Sequence, residues 1–214
     1  MAADTGIIGA ILAGGQGRRM GGDKPLTGLA GRPLLAHVAR RLAPQVGRLV
    51  LNANGDPARF AGIAELWGVT VVPDTAPDQP GPLAGLLAVL EWAERMQPAA
   101  RHVLSVPADC PFLPHDLASR LALAAGDGVA LARTAAADGS AHSHPVVGLW
   151  PVALRDDLRA ALLVEGLRRV GQWAGRHQPS FVDWPDMPLD PFLNLNTPDD
   201  LATAERLLAA YPDA

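Results

Sequence analysis

The chain has 214 residues, of which 49% are hydrophobic and 19% are charged, and its formal net charge is −4. This composition is that of a globular protein large enough to bury a core, and the negative charge argues against a general nucleic-acid binder. The single cysteine, Cys110, excludes an intramolecular disulfide and fits a reducing compartment. No apolar run approaches the ~18 residues that span a bilayer, and the N-terminus lacks the basic region of a signal peptide. We therefore expect a cytoplasmic protein that binds neither membranes nor nucleic acids.

The first predicted element is a buried strand that leads directly into a glycine-rich loop. Residues 7–13 (IIGAILA) form a short apolar run, which is typical of a strand in a parallel sheet. The loop after it interleaves glycines with cations, namely Gly14, Gly15, Gly17, Gly21 and Gly22 with Arg18, Arg19 and Lys24. Glycines let backbone N–H groups approach an anion closely, so this pattern predicts a polyphosphate site. The alternative is a basic surface loop without a ligand.

Helices and strands then alternate through the first half of the chain. The predicted elements are a helix at 33–42, a strand at 48–52, a helix at 58–66, a strand at 69–72, a helix at 83–96 and a strand at 102–106. Such alternation favours an α/β fold of the Rossmann-like kind, in which a mostly parallel sheet has helices on both faces.

The second half of the chain is less regular. Its apolar patterns predict helices at 115–125, 153–164, 167–177 and 201–211, and strands at 128–133, 145–150 and 180–183. The last helix has a strong start signal, because Thr197 can act as N-cap, Pro198 suits the first helical position and two acidic residues follow. There is no internal repeat and no evident linker, so we expect a single domain over residues 1–214.

Polar side chains follow the predicted strands at the points where these end. The first strand is followed by the glycine-rich loop, the second ends in Asn52, and Asp74 and Asp109 follow the third and fourth. Ligands of open parallel sheets bind outside the carboxyl ends of the strands. Asn and Asp are also common turn formers, so none of these residues alone indicates a ligand site. The convergence of the whole set at one edge of the sheet does.

These side chains have the chemistry of a nucleoside triphosphate site. Asp109 is the metal candidate, because a carboxylate facing a triphosphate can hold Mg²⁺. Asn52 has a donor and an acceptor with which to read a base edge, and Asp74 can accept from ribose hydroxyls or a base amino group. Lys24, with Arg19 as a second candidate, would place positive charge on the phosphates.

The sequence shows no evident Ser-His-Asp, Cys-His or metal-thiolate set. If the acceptor is a phosphate monoester, its second pKa near ~6 leaves it largely ionised at pH 7, so it needs alignment and charge neutralisation but no general base.

His142 and His144 fall in a predicted loop without a third metal ligand nearby. Cys110 is expected to be a buried thiol. Tryptophans are usually core residues, and we expect this of Trp150, Trp173 and Trp184. The alternative is that one of the three borders an aromatic acceptor.

The glycine-rich loop differs in spacing from two better-known phosphate loops. Lys24 precedes Pro25, where a P-loop needs Ser or Thr, and Met20 stands where a dinucleotide fingerprint needs its third glycine. The loop instead resembles the signature of nucleotidyltransferases. Further segments are similar to those of the molybdenum cofactor guanylyltransferases: Pro80-Gly81-Pro82-Leu83-Ala84-Gly85, Asn52-Ala53-Asn54, Asp109-Cys110-Pro111, His144-Pro145 and Asn194-Leu195-Asn196-Thr197-Pro198.

This resemblance implies a reaction in which GTP and molybdenum-molybdopterin give the molybdopterin guanine dinucleotide cofactor and pyrophosphate, with Mg²⁺. The catalytic residues would be Lys24, Arg19 and Asp109, with Asp109 on the metal. The implied ligand-binding residues are Leu12, Ala13, Gly14 and Gly15 through backbone, Lys24 at the phosphates, Asn52 and Asp74 at the nucleoside, Gly81, Pro82 and Gly85 around the base, and Asn194 and Asn196 on the pterin side. Some family members have one more residue before the Asp-Lys pair. The distance that Lys24 can reach into the site therefore differs from theirs.

The resemblance also implies how the chain is divided and which molecules it meets. Residues of about 1–110 would bind the nucleotide and about 111–214 the acceptor, and molybdoenzyme apoproteins or cofactor chaperones would receive the product. A cytidylyltransferase acting on the same pterin is the nearest alternative, although the segment at 80–85 and the triplet at 52–54 favour guanine. A sugar-phosphate nucleotidyltransferase is a second alternative. A non-enzymatic GTP-binding delivery module is a third, against which the presence of Lys24 and Asp109 argues.

Overall fold

A computed structural model describes residues 6–14, 24–76, 81–136 and 138–211 of the chain. The strands are β1 (Ile7–Leu12), β2 (Gly28–Leu29), β3 (Arg32–Pro33), β4 (Arg48–Asn52), β5 (Thr70–Val72), β6 (His102–Pro107), β7 (Ala130–Ala135), β8 (Ala141–Pro151) and β9 (Ser180–Pro185). The α-helices are α1 (Leu34–Leu42), α2 (Pro82–Met96), α3 (Leu117–Ala125), α4 (Arg155–Leu163), α5 (Val170–Ala174) and α6 (Pro198–Ala210).

Seven of these strands form one sheet in the order β5-β4-β1-β6-β8-β7-β9. β1 lies between β4 and β6 and is parallel to both, while β5 is parallel to β4 and β9 to β7. Only β8 runs antiparallel to its neighbours, β6 and β7, among the strands of the described residues. The prediction of a mostly parallel sheet is therefore confirmed. β2 and β3 form a separate antiparallel hairpin.

The sheet separates two apolar layers, each covered by helices. Along β1, Ile7 and Ile11 pack with residues of α1 and α3, whereas Ile8 and Ala10 pack with residues of α2, α4 and α5. Successive side chains of a strand point to opposite faces, so an uninterrupted apolar strand serves both layers. The prediction of helices on both faces is also confirmed.

A third, smaller apolar cluster connects distant parts of the chain near one edge of the sheet. It joins the β2–β3 hairpin, the start of α1, the loop after β6 and the C-terminal segment through Leu29, Leu34, Phe112, Leu195 and Ala204. All five side chains are at most 3% exposed. The cluster therefore holds the residues that follow the glycine-rich loop against the C-terminal segment.

The prediction of a helix at residues 58–66 is wrong. The segment forms two 3-10 turns, Pro57–Phe60 and Ala64–Leu66, with Asp56 accepting a hydrogen bond from the backbone N–H of Ala58 at the start of the first. Gly62 lies between the turns, where its conformational freedom disfavours a continuous helix. A helix this short also gains few hydrogen bonds for the residues it orders.

Two predicted elements of the second half change length. The strand predicted at 145–150 begins at Ala141, so His142 and His144 lie on β8, paired with β7, and not in a loop. The helix predicted at 167–177 shortens to α5 and a 3-10 turn, Gly175–His177. None of the helices in the described ranges is long and apolar enough to cross a membrane.

Candidate functional site

The carboxyl ends of four parallel strands lie level with one another. Leu12 of β1 is paired with Asn52 of β4 and with Pro107 of β6, and Asn52 is paired with Val72 of β5. Backbone hydrogen bonds extend these pairings into the loops, since the N–H of Ala13 donates to the carbonyl of Asn52 over 2.8 Å. The segments that follow each strand therefore meet at one edge of the sheet, as the sequence predicts.

A cavity of about 360 Å³ opens at this edge. One end is formed by the end of β1 and the loop after it, by Asn52 at the end of β4 and by the start of α2, and the other end by β8 and by Asn194 of the C-terminal segment. The lining residues are Leu12, Ala13, Gly14, Lys24, Pro25, Asn52, Gly81, Pro82, Pro107, Ala108, Asp109, Cys110, His142, Ser143, His144, Pro145, Val146, Val147 and Asn194. Lys24 and Asp109 both line this cavity, and Asp109 follows β6, which lies between β1 and β8 in the sheet.

Lys24 and Asp109 form an ion pair in the lining of the cavity. Lys24 Nζ donates to Asp109 Oδ2 and to Asn196 Oδ1, the latter over 2.6 Å. The side chains of Lys24 and Asp109 are 13% and 20% exposed, so water screens the pair only in part. The ammonium has three N–H donors. With two directed at protein oxygens, the third can be directed at an anion in the cavity.

Several elements hold this ion pair in place. Lys24 begins a short 3-10 helix, Lys24–Leu26, which leads into the β2–β3 hairpin and so into the third apolar cluster. The C-terminal segment approaches from the other side, where the N–H of Leu195 donates to the carbonyl of Asp109 over 3.1 Å. α6 begins immediately after it with a capping box between Thr197 and Asp200. The predicted start of the last helix is therefore confirmed.

The second carboxylate oxygen of Asp109 fits a magnesium ion. Asp109 Oδ1 is buried and has no hydrogen-bond partner among the described residues. Within these residues no three His, Cys, Asp or Glu side chains come together as a metal-binding group. Mg²⁺ does not need such a group, because it keeps several waters and takes one or two carboxylates together with substrate phosphates. One carboxylate with an unused oxygen is compatible with that mode of binding.

The end of the cavity nearest β4 carries a network of amide and carboxylate groups. Asn52, only 1% exposed, donates from Nδ2 to the carbonyl of Val72 and to Asp74 Oδ1, over 3.1 and 2.8 Å. Asp74 Oδ2 accepts from Asn54 Nδ2 over 2.7 Å. Gly85 of α2 packs against this network, since a Cβ there would lie 2.2 Å from Asn52 Oδ1. Gly85 makes room for Asn52 and is absent from the cavity lining.

The opposite end of the cavity contains two histidines on β8. The rings of His142 and His144 meet edge to face with centroids 4.9 Å apart, and His144 also packs on Phe192. His144 Nε2 lies 3.0 Å from the hydroxyl of Thr134, which is buried. Burial lowers the pKa of His144, and His142 lowers it further, while Asp190 acts in the opposite direction. His144 is therefore a neutral side chain at pH 7.

Cys110 is a structural thiol. It is 1% exposed, and its S–H can donate to Asn194 Oδ1, with the carbonyl of Phe192 as a second acceptor within reach of Sγ. Burial raises the pKa of the thiol well above its ordinary value, and the charges of Asp109 and Asp190 raise it further. A protonated, buried thiol is a poor nucleophile, which agrees with the prediction.

The structure brings most of the predicted site residues together. Leu12, Ala13, Gly14, Lys24, Asn52, Gly81, Pro82, Asp109 and Asn194 line the cavity. Gly85 and Asp74 lie behind Asn52 and Gly14, and Asn196 contacts Lys24. Gly15 and Arg19 lie outside the described residues. Trp150, Trp173 and Trp184 are buried in the core, with exposures of 0%, 0% and 4%, so the interpretation of these tryptophans as core residues is confirmed.

Sequence reasoning missed two parts of the site. His142 and Ser143 line the cavity because β8 extends beyond its predicted length, and residues 141–144 alternate too weakly in polarity to indicate a strand. Asn54 contacts Asp74 through both its amide nitrogen and its amide oxygen, a role that the Asn52-Ala53-Asn54 segment does not by itself predict. The repeated asparagine at positions 52 and 54 was the signal that could have revealed it.

An open α/β sheet whose carboxyl edge offers backbone, a lysine and a carboxylate to one cavity is typical of the class of nucleotide-binding α/β proteins. The sequence supports the same class, because residues 9–179 match the family described as MobA-like NTP transferase domain. The chain belongs to this family.

Curated relatives cover nearly the full chain. A molybdenum cofactor guanylyltransferase of Bradyrhizobium sp. (strain ORS 278) is 55% identical over 206 residues, which are 96% of this chain and 94% of that protein. A molybdenum cofactor guanylyltransferase of Rhizobium meliloti (strain 1021) is 43% identical over 210 residues, or 95% and 92% of the two chains. The resemblance to molybdenum cofactor guanylyltransferases is therefore confirmed.

Solved structures confirm the fold. Molybdopterin-guanine dinucleotide biosynthesis protein A from Archaeoglobus fulgidus superposes with a TM-score of 0.70 at 22% identity, covering 95% of this chain and 99% of that one. A 4-diphosphocytidyl-2C-methyl-D-erythritol synthase gives a TM-score of 0.71 at 16% identity, covering 94% and 97%. At these identities the likeness concerns the fold alone.

Proposed function

We infer that this protein transfers GMP from GTP to the phosphate of molybdenum-molybdopterin, forming the molybdopterin guanine dinucleotide cofactor and releasing pyrophosphate. One observation carries this proposal: one cavity is lined by Asn52, by Lys24 and Asp109 and by the histidines of β8, and the strands β4, β6 and β8 that carry or precede Asn52, Asp109 and the histidines follow one another in this order across the sheet. The cavity thus has two ends on either side of the charged pair, as a transfer between two bound substrates requires. The close relatives named for this activity indicate which two substrates these are.

On the nucleotide side, backbone and Lys24 would hold the triphosphate. Ala13 and Gly14 line the cavity directly after β1, where N–H groups can approach phosphate oxygens. The third donor of Lys24 would be directed at a phosphate and stabilise the negative charge that develops there during transfer. Arg19, in the same loop sequence, would add a second cation.

Asp109 would hold Mg²⁺ through Oδ1, the buried oxygen without a described partner. When bound, Mg²⁺ would neutralise charge on the phosphates and on the leaving pyrophosphate. Asp109 Oδ2 meanwhile keeps Lys24 beside the phosphates. Asp109 thus serves the site through both of its oxygens.

On the acceptor side, the described residues provide alignment and not a base. A phosphate monoester is already largely ionised at pH 7, because its second pKa is about 6. The lowered pKa of His144 makes its imidazole a weaker base than an ordinary histidine, and the raised pKa of Cys110 excludes its thiolate. The acceptor would therefore attack directly, positioned by the β8 histidines and by Asn194. Asn196 would act on this side only through Lys24.

The proposal extends to the organisation of the chain. Residues of about 1–110 would bind GTP and residues of about 111–214 the acceptor, within one domain. The product would pass to molybdoenzyme apoproteins or cofactor chaperones, and the whole process would take place in the cytoplasm.

Pyrophosphate release tests the function and separates it from its alternatives. The purified protein is incubated with Mg²⁺ and molybdenum-molybdopterin plus either GTP or CTP, and with GTP plus a hexose 1-phosphate. We expect pyrophosphate and the guanine dinucleotide product only with GTP and the pterin. Turnover of CTP in place of GTP would indicate a cytidylyltransferase, turnover of the sugar phosphate a sugar-phosphate enzyme, and GTP binding without any pyrophosphate a delivery module.

A further inference from the structure

The pairing of β8 with β7 is interrupted where β8 reaches the cavity. Leu131 of β7 pairs with Gly148 of β8. The next residue of β7, Ala132, pairs with His144, so residues 145–147 are left without a partner in β7. Extra residues of this kind bend a strand and redirect its side chains, and they are frequent next to active sites. These three residues line the cavity together with His144, so the bulge brings this part of β8 to the site.

Three contacts fix the imidazole of His144. Its Nε2 lies 3.0 Å from the hydroxyl of Thr134, which belongs to β7 and is 5% exposed. The ring also packs on Phe192 and meets the ring of His142 edge to face, with centroids 4.9 Å apart in both cases. The ring cannot turn over without losing the hydrogen bond at Nε2. The hydroxyl of Thr134 therefore determines which nitrogen of His144 remains for a ligand.

The nitrogen that remains is Nδ1. It has no hydrogen-bond partner among the described residues. The side-chain nitrogens and oxygens of the described residues that are buried without a partner belong to His102 and Asp109, so Nδ1 of the half-buried His144 is accessible. Because His144 lines the cavity, a ligand bound beside β8 would meet Nδ1.

The hydroxyl of Thr134 also decides whether Nδ1 is a donor or an acceptor. Among the described residues, the other acceptor near this hydroxyl is the carbonyl of His142, 3.5 Å away and at the limit of a hydrogen bond. The hydroxyl hydrogen is therefore directed at the nearer Nε2 of His144. A neutral imidazole has a single N–H, and the hydrogen bond at one nitrogen sets which nitrogen carries it. Nε2 thus accepts, and Nδ1 carries the hydrogen.

An N–H donor at this end of the cavity suits an anionic oxygen. The phosphate monoester of the acceptor offers such oxygens, and because it is largely ionised at pH 7 it has no hydrogen to donate. A lone pair at Nδ1 would repel this group, whereas an N–H attracts it. Lys24 and Asn194 line the same cavity and have further N–H donors for the same phosphate.

We propose that Thr134 is a positioning residue that donates its hydroxyl hydrogen to Nε2 of His144 and so makes this histidine present Nδ1–H to the phosphate of the acceptor. The inference rests on the proposed function, because it assumes that the acceptor binds at the β8 end of the cavity. Thr134 is absent from the cavity lining, so its effect passes through His144.

The tautomer of His144 is measured directly in the protein without substrates. Ring nitrogen chemical shifts of isotope-labelled histidine distinguish a protonated from an unprotonated nitrogen, and His144→Gln identifies the signals of His144. At about pH 8, where an ordinary histidine is neutral, we expect a protonated Nδ1 and an unprotonated Nε2. Thr134→Val keeps the shape of the side chain but should lose this preference, and Thr134→Ser should keep it. A protonated Nε2 in the wild-type protein would overturn the inference at any level of activity.

Steady-state kinetics test whether this orientation matters to the acceptor. In Thr134→Val we expect the KM for molybdenum-molybdopterin to rise about 2- to 12-fold, as for the loss of one hydrogen bond, and the KM for GTP to stay unchanged. Thr134→Ser should stay close to wild type. In a His144→Ala background, Thr134→Val should cause no further rise, because the two residues act as one unit.

The outcomes separate the inference from the proposed function. A partial loss of folded protein lowers kcat and leaves both KM values unchanged. A wild-type KM for the pterin in Thr134→Val, or a further rise in the double variant, would overturn the inference and leave the function intact. A wild-type protein that releases no pyrophosphate from GTP and the pterin would refute the proposed function itself.

Discussion

At the scale of single residues, the two carboxylate oxygens of Asp109 differ in their surroundings. One oxygen accepts from Lys24, and the other is buried without a described partner. A buried carboxylate oxygen is unfavourable unless a cation or a hydrogen-bond donor satisfies it. The proposed magnesium ion would satisfy Asp109 Oδ1 in this way.

Asp109→Asn tests the two proposed roles of Asp109, at Mg²⁺ and at Lys24, with a side chain of nearly unchanged shape. The amide removes the negative charge that would hold Mg²⁺ and neutralise Lys24. We expect kcat to fall by about 10²-fold or more, as when a single group that stabilises transition-state charge is removed. Pyrophosphate release at saturating GTP and pterin is the measurement. Asp127→Asn, which alters an exposed ion pair with Arg101, should retain full activity; an active Asp109→Asn would remove Asp109 from the metal site.

The β8 histidines allow a second test at the residue scale, directed at the acceptor. His144 lines the far end of the cavity, supported by Thr134 and Phe192. His144→Ala should raise the KM for the pterin about 2- to 12-fold, corresponding to one hydrogen bond of ~0.5–1.5 kcal/mol, and leave the KM for GTP unchanged. His177→Asn is the control, because His177 packs on Trp173, away from the cavity lining. An equal effect on both substrates would argue against an acceptor role.

At the scale of elements, the C-terminal segment connects stability to the site. Thr197 caps α6, and the residue before it, Asn196, accepts from Lys24. The N–H groups of Asn196 and Thr197 both donate to Asp200 Oδ2, over 2.8 and 2.9 Å. The capping box therefore orders the backbone that places Asn196 beside Lys24.

Thr197→Ala should lower the free energy of unfolding by ~1 kcal/mol, because it removes the side chain that satisfies the N–H of Asp200. For a chain of this size, that loss corresponds to a fall in Tm of about 2–4 °C. Thermal denaturation monitored by circular dichroism provides the measurement. Thr197→Ser retains the hydroxyl and should stay close to wild type. A Tm for Thr197→Ala equal to that of Thr197→Ser would show that the cap contributes nothing.

Local sequence signals predicted those elements whose stability is local. The cap at Thr197, the apolar strand β1 and the long helix α2 all have patterns that are complete within a few residues. The helix predicted at 58–66 failed because a short apolar pattern also suits 3-10 turns around Gly62. The extent of β8 depends on pairing with β7 and so could not be read from its own residues.

The candidate site shows the same division between local and long-range information. The polar residues after each strand were predictable, because parallel strands end at one edge of a sheet. The contact of Lys24 with Asp109 crosses 85 residues and that with Asn196 crosses 172. Such contacts follow from the third apolar cluster, whose members are scattered through the chain and share no periodicity. The orientation of Asn52 likewise required the positions of Asp74 and Gly85.

At the scale of the whole molecule, three histidines make stability depend on pH. Burial is the largest cause that lowers the pKa of His37, His102 and His144 in the folded protein. Nearby arginines lower the pKa of His37 and His102 further. In the unfolded chain these imidazoles titrate near their ordinary value of 6.5. Below that value the unfolded state binds protons that the folded state does not, so stability is complete above pH 6.5 and is lost as pH falls toward the folded pKa values.

The Tm should therefore decrease as the pH is lowered from about 7.5 to about 5.5. Carboxylates such as Asp183 and Asp200, whose pKa values are lowered from 3.8, lose their contribution only at lower pH and do not enter this window. His102→Gln isolates one contribution, because His102 Nε2 has no hydrogen-bond partner among the described residues and the substitution sacrifices none there. This variant should lose less stability than wild type over the same interval, as measured by scanning calorimetry in buffers of matched ionic strength. Parallel curves for the two proteins, or a Tm that rises as the pH falls, would contradict the assignment of this pH dependence to half-buried neutral histidines.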